Sequence, residues 1–68
     1  MSIREKMKES RKEKGLGLAG MADFLGMDTV DYARIEYNND LIDPAIIPDL
    51  SRILEIPAEE FQEIVKTE

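Results

Sequence analysis

Residues 17–37, GLAGMADFLGMDTVDYARIEY, contain two short helical patterns with a turn between them. The apolar residues of the first pattern recur at positions i, i+3, i+4 and i+7, which places them on one face of a helix. These residues are Leu18, Met21, Ala22 and Leu25. Gly26 ends this helix where the turn needs a positive φ angle, and the small Ala22 allows a second helix to approach closely.

The second pattern begins at Asp28, which is predicted to be the N-cap of a helix. Tyr32 and Ile35, with Val30 as a further candidate, are predicted to form its buried side, and Asn38 to end it in the left-handed conformation. Two short helices joined by a glycine turn are typical of the helix-turn-helix geometry. The sequence therefore predicts a helix-turn-helix unit over about 17–37.

A further helix is predicted before this unit. Ser2 and Glu5 have the S-x-x-E spacing of a capping box, in which two side chains bond the free N–H groups of a helix start. The helix is expected to run through Lys14 and to stop at Gly15.

Two more helices are predicted after the unit. Asp43 and Pro44 have the order of an N-cap and a first helical residue, although Pro48 either kinks this fourth helix or begins it. Pro57 is predicted to be the first residue of a fifth helix. No strand pattern is present, so the prediction is an all-α, compact five-helix domain over 1–68.

The composition excludes several classes of protein. The chain has 68 residues and contains no Cys or His, so it lacks the usual ligands of zinc and the usual parts of a catalytic triad. We expect no metal, no cofactor and no enzymatic activity. No apolar run is long enough for a signal peptide or a membrane span, so a cytoplasmic protein without membrane contact is expected.

The charges are unevenly distributed along the chain. The formal net charge is −6, which argues against a non-specific binder of nucleic acid or of a membrane surface. The stretch 1–14 nevertheless carries six cations and three anions, whereas 15–68 carries three cations and twelve anions. Much of this acid lies at predicted helix starts, where it has a structural reason.

Four segments carry a resemblance to a known family. They read REKMKESRKEKGL, MADFLGM, ARIE and RILEIPAEEF. From Ile3 to Phe61 the chain resembles, without gaps, the Cro/C1-type (XRE-like) helix-turn-helix regulators of phages and bacteria. The resemblance implies a lambda-repressor-like fold and transcription regulation by binding double-stranded DNA. It also implies an ion pair between Arg11 of the first helix and Glu36 of the third.

The resemblance further implies which residues contact DNA. A recognition helix over about 28–37 would enter the major groove. The candidates for base edges are Thr29, Val30, Ala33 and Arg34, and those for phosphate are Tyr37, Asn38 and Asn39. Arg34 is also spaced to pair with Asp31 one turn earlier. The family typically forms homodimers, and the fifth helix, through Phe61, Ile64 and Val65, is the expected dimer surface unless these residues close the core.

The candidate interface also departs from the family pattern. Gly17 and Leu18 replace the usual Thr-Gln pair, and 17–37 carries a net charge of −3. This favours an alternative function, in which the helix-turn-helix fold has lost DNA binding and serves as a protein-interaction module. Such a module would be an antirepressor, an adaptor or a DNA mimic with a basic protein partner.

Overall fold

The computed structural model describes residues 1–67, and within this range the chain is all-helical with no strand. Four α-helices and two 3₁₀ segments form five helical units, since the first 3₁₀ segment runs directly into the last α-helix. They are α1 (Ile3–Glu13), α2 (Leu18–Leu25), α3 (Thr29–Tyr37), a first 3₁₀ segment (Pro44–Ile46), α4 (Ile47–Leu54) and a second 3₁₀ segment (Ala58–Ile64). The all-α prediction is confirmed. None of these helices is long and apolar enough to cross a membrane.

The start and the end of α1 follow the sequence signals. The Ser2 hydroxyl accepts the Glu5 N–H at 3.2 Å, and the Glu5 carboxylate accepts the Ser2 N–H. The Ser2 hydroxyl also donates to the Glu5 carboxylate at 3.1 Å, and this bond, followed by the one from the Ser2 N–H, holds the pKa of Glu5 below its usual range. Lys14 lies at the C-cap and Gly15 follows with φ +70°, as predicted.

The turn between α2 and α3 is built on Gly26, which has φ +69°. The Met27 N–H donates to the Ala22 carbonyl at 3.0 Å and closes the end of α2. Asp28 lies at the N-cap of α3, but its side chain accepts no capping hydrogen bond.

The prediction for Asn38 is wrong. Its φ and ψ are −114° and 175°, an extended rather than a left-handed conformation. Arg4 of α1 instead bonds one carbonyl in the last turn of α3, that of Ile35, and one in the following loop, that of Asp40. A side chain distant in sequence thus donates a hydrogen bond to a helix-end carbonyl, as a local cap is expected to do.

Pro48 neither kinks nor begins the fourth helix. The Asp43 carboxylate accepts the Ala45 N–H at 2.9 Å and starts a 3₁₀ turn, and α4 begins at Ile47. Pro48 therefore lies in the first turn of α4, where a missing N–H breaks no intrahelical hydrogen bond. Pro57 is predicted from the sequence to be the first residue of the fifth helix. It lies instead at the N-cap, directly before the second 3₁₀ segment.

The core is formed by side chains from every helix and from the loop after α3. The largest fully buried side chains are Met7, Met21, Tyr32, Ile42, Leu50, Leu54 and Phe61. Ile42 of the loop is tied to the end of the chain, since its N–H donates to the Ile64 carbonyl at 2.7 Å and its carbonyl accepts the Lys66 N–H at 2.8 Å. Phe61 and Ile64 are buried and Val65 is half-buried against the core, which confirms the alternative prediction that these residues close the core.

Candidate nucleic-acid interface

A buried ion pair joins α1 to the end of α3. Arg11 donates from Nε to Glu36 Oε2 at 2.8 Å and from Nη2 to Oε1 at 2.9 Å, a two-pronged arrangement with fixed geometry. Arg11 Nη1 also donates to the Leu16 carbonyl at 2.8 Å, at the start of the loop before α2. The Arg11 pKa is raised above its usual value, chiefly by the hydrogen bonds to Glu36. The Arg11 guanidinium thus links α1 to the loop before α2 and to the end of α3.

Tyr32 lies fully buried in the same part of the core. Its hydroxyl has no hydrogen-bond partner within residues 1–67, although the Glu36 carboxylate is close enough to influence it. The pKa of Tyr32 is raised chiefly by burial, which disfavours the charged phenolate.

We predict that Tyr32→Phe stabilises the protein. Removing a buried hydroxyl that lacks a partner relieves a desolvation cost of about 1 kcal/mol, which corresponds to a rise of about 4–8 °C in the melting temperature of a domain this small. Thermal unfolding followed by circular dichroism measures the change. Tyr37→Phe is the matched control, because Tyr37 is exposed and should show no change. A loss of stability in Tyr32→Phe would mean that the hydroxyl bonds to Glu36.

Three of the four candidate base-contacting residues are exposed on α3, and Val30 is not part of its buried side. Thr29, Val30 and Arg34 are exposed, with Val30 at 67 % of its full accessibility, and Ala33 is half-buried. An exposed valine contributes little to the stability of the fold. The Val30 side chain is therefore free to make an apolar contact with a partner at the start of α3.

The candidate phosphate-contacting residues follow at the other end of α3. Tyr37, Asn38 and Asn39 are all exposed. The Lys8 ammonium of α1 lies 5.1 Å from the centre of the Tyr37 ring, within reach of a cation–π interaction. The end of α3 therefore has a cation beside it that comes from α1 rather than from the unit itself.

Arg34 does not pair with Asp31. Its Nε lies 3.2 Å from the carboxylate of Asp40, in the loop that Arg4 holds against the end of α3. Both Arg34 and Asp40 remain partly exposed, so this ion pair contributes little to stability and Arg34 can leave it for another partner.

Three carboxylates surround the turn. Asp23, Asp28 and Asp31 are exposed, and none makes an ion pair with a residue in the range 1–67. Together with Gly26 and Met27 they line a shallow depression of about 450 Å³. No group of three or more carboxylates within the described chain is arranged to hold a metal ion. Asp23, Asp28 and Asp31 therefore form an acidic surface, as the sequence predicts. Glu36 does not belong to it, because it is buried and paired with Arg11.

Sequence reasoning missed the role of Arg4. By holding the carbonyls of Ile35 and Asp40, Arg4 sets the path of the loop that carries Asn38 and Asn39. The available signal was that Arg4 and Arg11 lie on one face of α1, since they are seven residues apart.

The basic residues of α1 are used largely within the molecule. Lys6 pairs with Glu60, and Lys14 pairs with Glu55 at 2.6 Å. Much of the positive charge near the start of the chain therefore holds α1 to acidic parts of the same chain.

The comparisons with known proteins add no relative. No family model, no curated protein and no solved structure matches this chain.

Proposed function

We propose that this protein is a small helix-turn-helix DNA-binding regulator of the Cro/C1 type, with α3 as its recognition helix. The observation that carries the proposal is the arrangement of α3. The end of α3 is fixed to the core by the buried Arg11–Glu36 pair, while Thr29, Val30 and Arg34 remain exposed. A rigid helix with exposed side chains at its first turns is what insertion into the major groove requires.

Each candidate residue has a role that its chemistry supports. Arg34 can donate two hydrogen bonds to guanine O6 and N7, Thr29 can donate or accept one, and Val30 can contact the methyl group of thymine. Tyr37, Asn38 and Asn39 offer hydroxyl, amide and backbone N–H groups to phosphate oxygens. In a homodimer, two such helices would enter successive major grooves about 34–36 Å apart.

The charges predict weak and modestly salt-dependent binding. Few cations lie near α3, so binding would neutralise only about two or three phosphates. Raising the salt concentration from about 50 to about 200 mM should then weaken the binding of random duplex DNA by about 10- to 40-fold. Fluorescence anisotropy measures this change, and an absence of binding at the lower concentration would overturn the proposal.

Arg34→Ala provides the sharper test. The loss of a base-contacting arginine should weaken binding to a selected duplex by about 1–3 kcal/mol. Asp40→Asn should act in the opposite direction, because it releases Arg34 and removes a negative charge near the phosphates. Arg52→Ala is the matched control, since Arg52 is an exposed arginine on α4 that pairs only with Asp49 in the described chain. Equal affinities for wild type and Arg34→Ala would exclude Arg34 from the interface.

The exposed carboxylates around the α2–α3 turn, which make no ion pair within residues 1–67, support a second candidate function. In this alternative, the face formed by Asp23, Asp28 and Asp31 binds a basic protein instead of DNA, as an antirepressor, an adaptor or a DNA mimic does. Purification of the tagged protein from its host cells distinguishes the two functions. The alternative predicts recovery of a basic protein partner, and recovery of DNA alone would count against it.

A further inference from the structure

A groove between the α2–α3 turn and the loop after α3 has no role in the proposed DNA contact. Its volume is about 390 Å³, ample for one large apolar side chain. The apolar residues that line it are Leu25, Met27, Ile35, Ile42 and Ile46. Leu41, at its edge, is 46 % exposed and continues this apolar surface outward.

The rim of the groove is mostly acidic. Asp31, Asp40 and Asp43 line it, against the single cation Lys66. Asp40 is paired with Arg34, whereas Asp31 and Asp43 make no ion pair within residues 1–67. An apolar floor with two unpaired carboxylates at its rim complements an apolar side chain flanked by cations.

One wall of the groove is an extended segment with a free edge. Ile42 pairs with the end of the chain in the pattern of a parallel bridge, through the Ile64 carbonyl and the Lys66 N–H. In that pattern the N–H and C=O groups of the residues on either side point the opposite way. Neither the Leu41 N–H nor the Asp43 N–H has a protein acceptor within the described chain. The Asp43 carbonyl accepts the Ile46 N–H at 3.1 Å, so the edge offers another extended chain the Leu41 and Asp43 N–H groups as donors.

We propose that this groove binds an extended, basic and apolar segment of a partner protein. The segment pairs with the backbone of residues 41–43, places an apolar side chain on the groove floor, and brings lysine or arginine to Asp31 and Asp43. The net charge of −6 disfavours a second copy of this chain as the occupant. The inference does not depend on DNA binding, because the groove contains none of the seven candidate DNA-contacting residues.

The test uses the whole isotope-labelled chain and a short synthetic peptide of alternating lysine and leucine with blocked ends. Nuclear magnetic resonance titration should show shifts at Leu25–Met27 and 41–46, and slower hydrogen exchange at the Leu41 and Asp43 amides. The same peptide with N-methyl groups along one edge cannot pair with the segment and should bind at least tenfold more weakly. A peptide with glutamate in place of lysine should not bind.

Two double variants separate the groove from general attraction between charges. Asp31→Asn with Asp43→Asn removes both rim charges, and asparagine still caps the 3₁₀ turn at position 43. Affinity should fall about tenfold, the sum of two partly exposed ion pairs. Glu59→Gln with Glu63→Gln changes the net charge equally, outside the groove, and should have a much smaller effect. Shifts confined to Thr29, Val30, Ala33 and Arg34, equal loss in both double variants, or undiminished binding of the N-methylated peptide would each overturn the proposal.

Discussion

Replacing Arg11 with methionine is expected to destabilise the protein by about 3–5 kcal/mol, because it leaves the Glu36 carboxylate buried without a counter-charge. The Glu36 side chain is 0 % exposed and receives two hydrogen bonds from Arg11. A domain of this size has roughly 3–10 kcal/mol of stability in total, so much of the protein would be unfolded. Urea unfolding followed by circular dichroism measures the free energy of unfolding.

Two further variants show whether the unpaired charge is the cause. Lys12→Met removes a cation from the adjacent, exposed position on α1 and should cost less than about 0.5 kcal/mol. Arg11→Met combined with Glu36→Leu removes both charges and should recover most of the lost stability. If Arg11→Met alone were as stable as wild type, the ion pair would not be what holds α1 to α3.

Phe61→Ala is expected to destabilise the protein by about 3–5 kcal/mol, because it removes a large, fully buried side chain and leaves a cavity. Phe61 belongs to the second 3₁₀ segment, which packs on α4 and α1 and closes the core. The same unfolding measurement, made at several protein concentrations, checks the prediction.

Phe24→Ala is the matched control for this variant. Phe24 is 62 % exposed on α2, so its removal should change the stability by less than about 1 kcal/mol. The destabilisation of Phe61→Ala should be the same at every protein concentration, since Phe61 acts within one chain. If Phe61→Ala unfolded with the same free energy as wild type but associated with itself more weakly, Phe61 would belong to a dimer surface instead.

The bounds of α2 and α3 could be predicted from the sequence because their signals are local. Apolar spacing places one face of α2 inward, and Gly26 is the residue type that a left-handed turn requires. The capping box of Ser2 and Glu5 is local in the same sense. The specific pairing of Arg11 with Glu36 came from the family resemblance rather than from these patterns.

The features that sequence reasoning missed depend on residues far apart in the chain. Arg4, more than thirty positions earlier, donates to the Ile35 carbonyl in the last turn of α3 and to the carbonyl of the extended Asn38. The bridge between Ile42 and Val65 has no local pattern at either end. The Ser10 hydroxyl of α1 also has a distant partner, since it donates to the Leu54 carbonyl at 2.6 Å.

The candidate interface was only partly predictable for the same reason. The exposure of Arg34 follows from helical periodicity, whereas its pairing with Asp40 depends on the path of the loop. The count of charges along the sequence also could not show that Glu36 is neutralised by Arg11 while Asp23 and Asp28 remain unpaired within residues 1–67.

The most direct test of the proposed function is a nuclear magnetic resonance titration of the isotope-labelled protein with duplex DNA at about 50 mM salt. DNA binding through α3 predicts shifts concentrated at Thr29–Arg34 and at Tyr37–Asn39, with little change on α4. The absence of shifts at saturating DNA, or shifts confined to residues outside α3 and the loop that follows it, would contradict the proposed function.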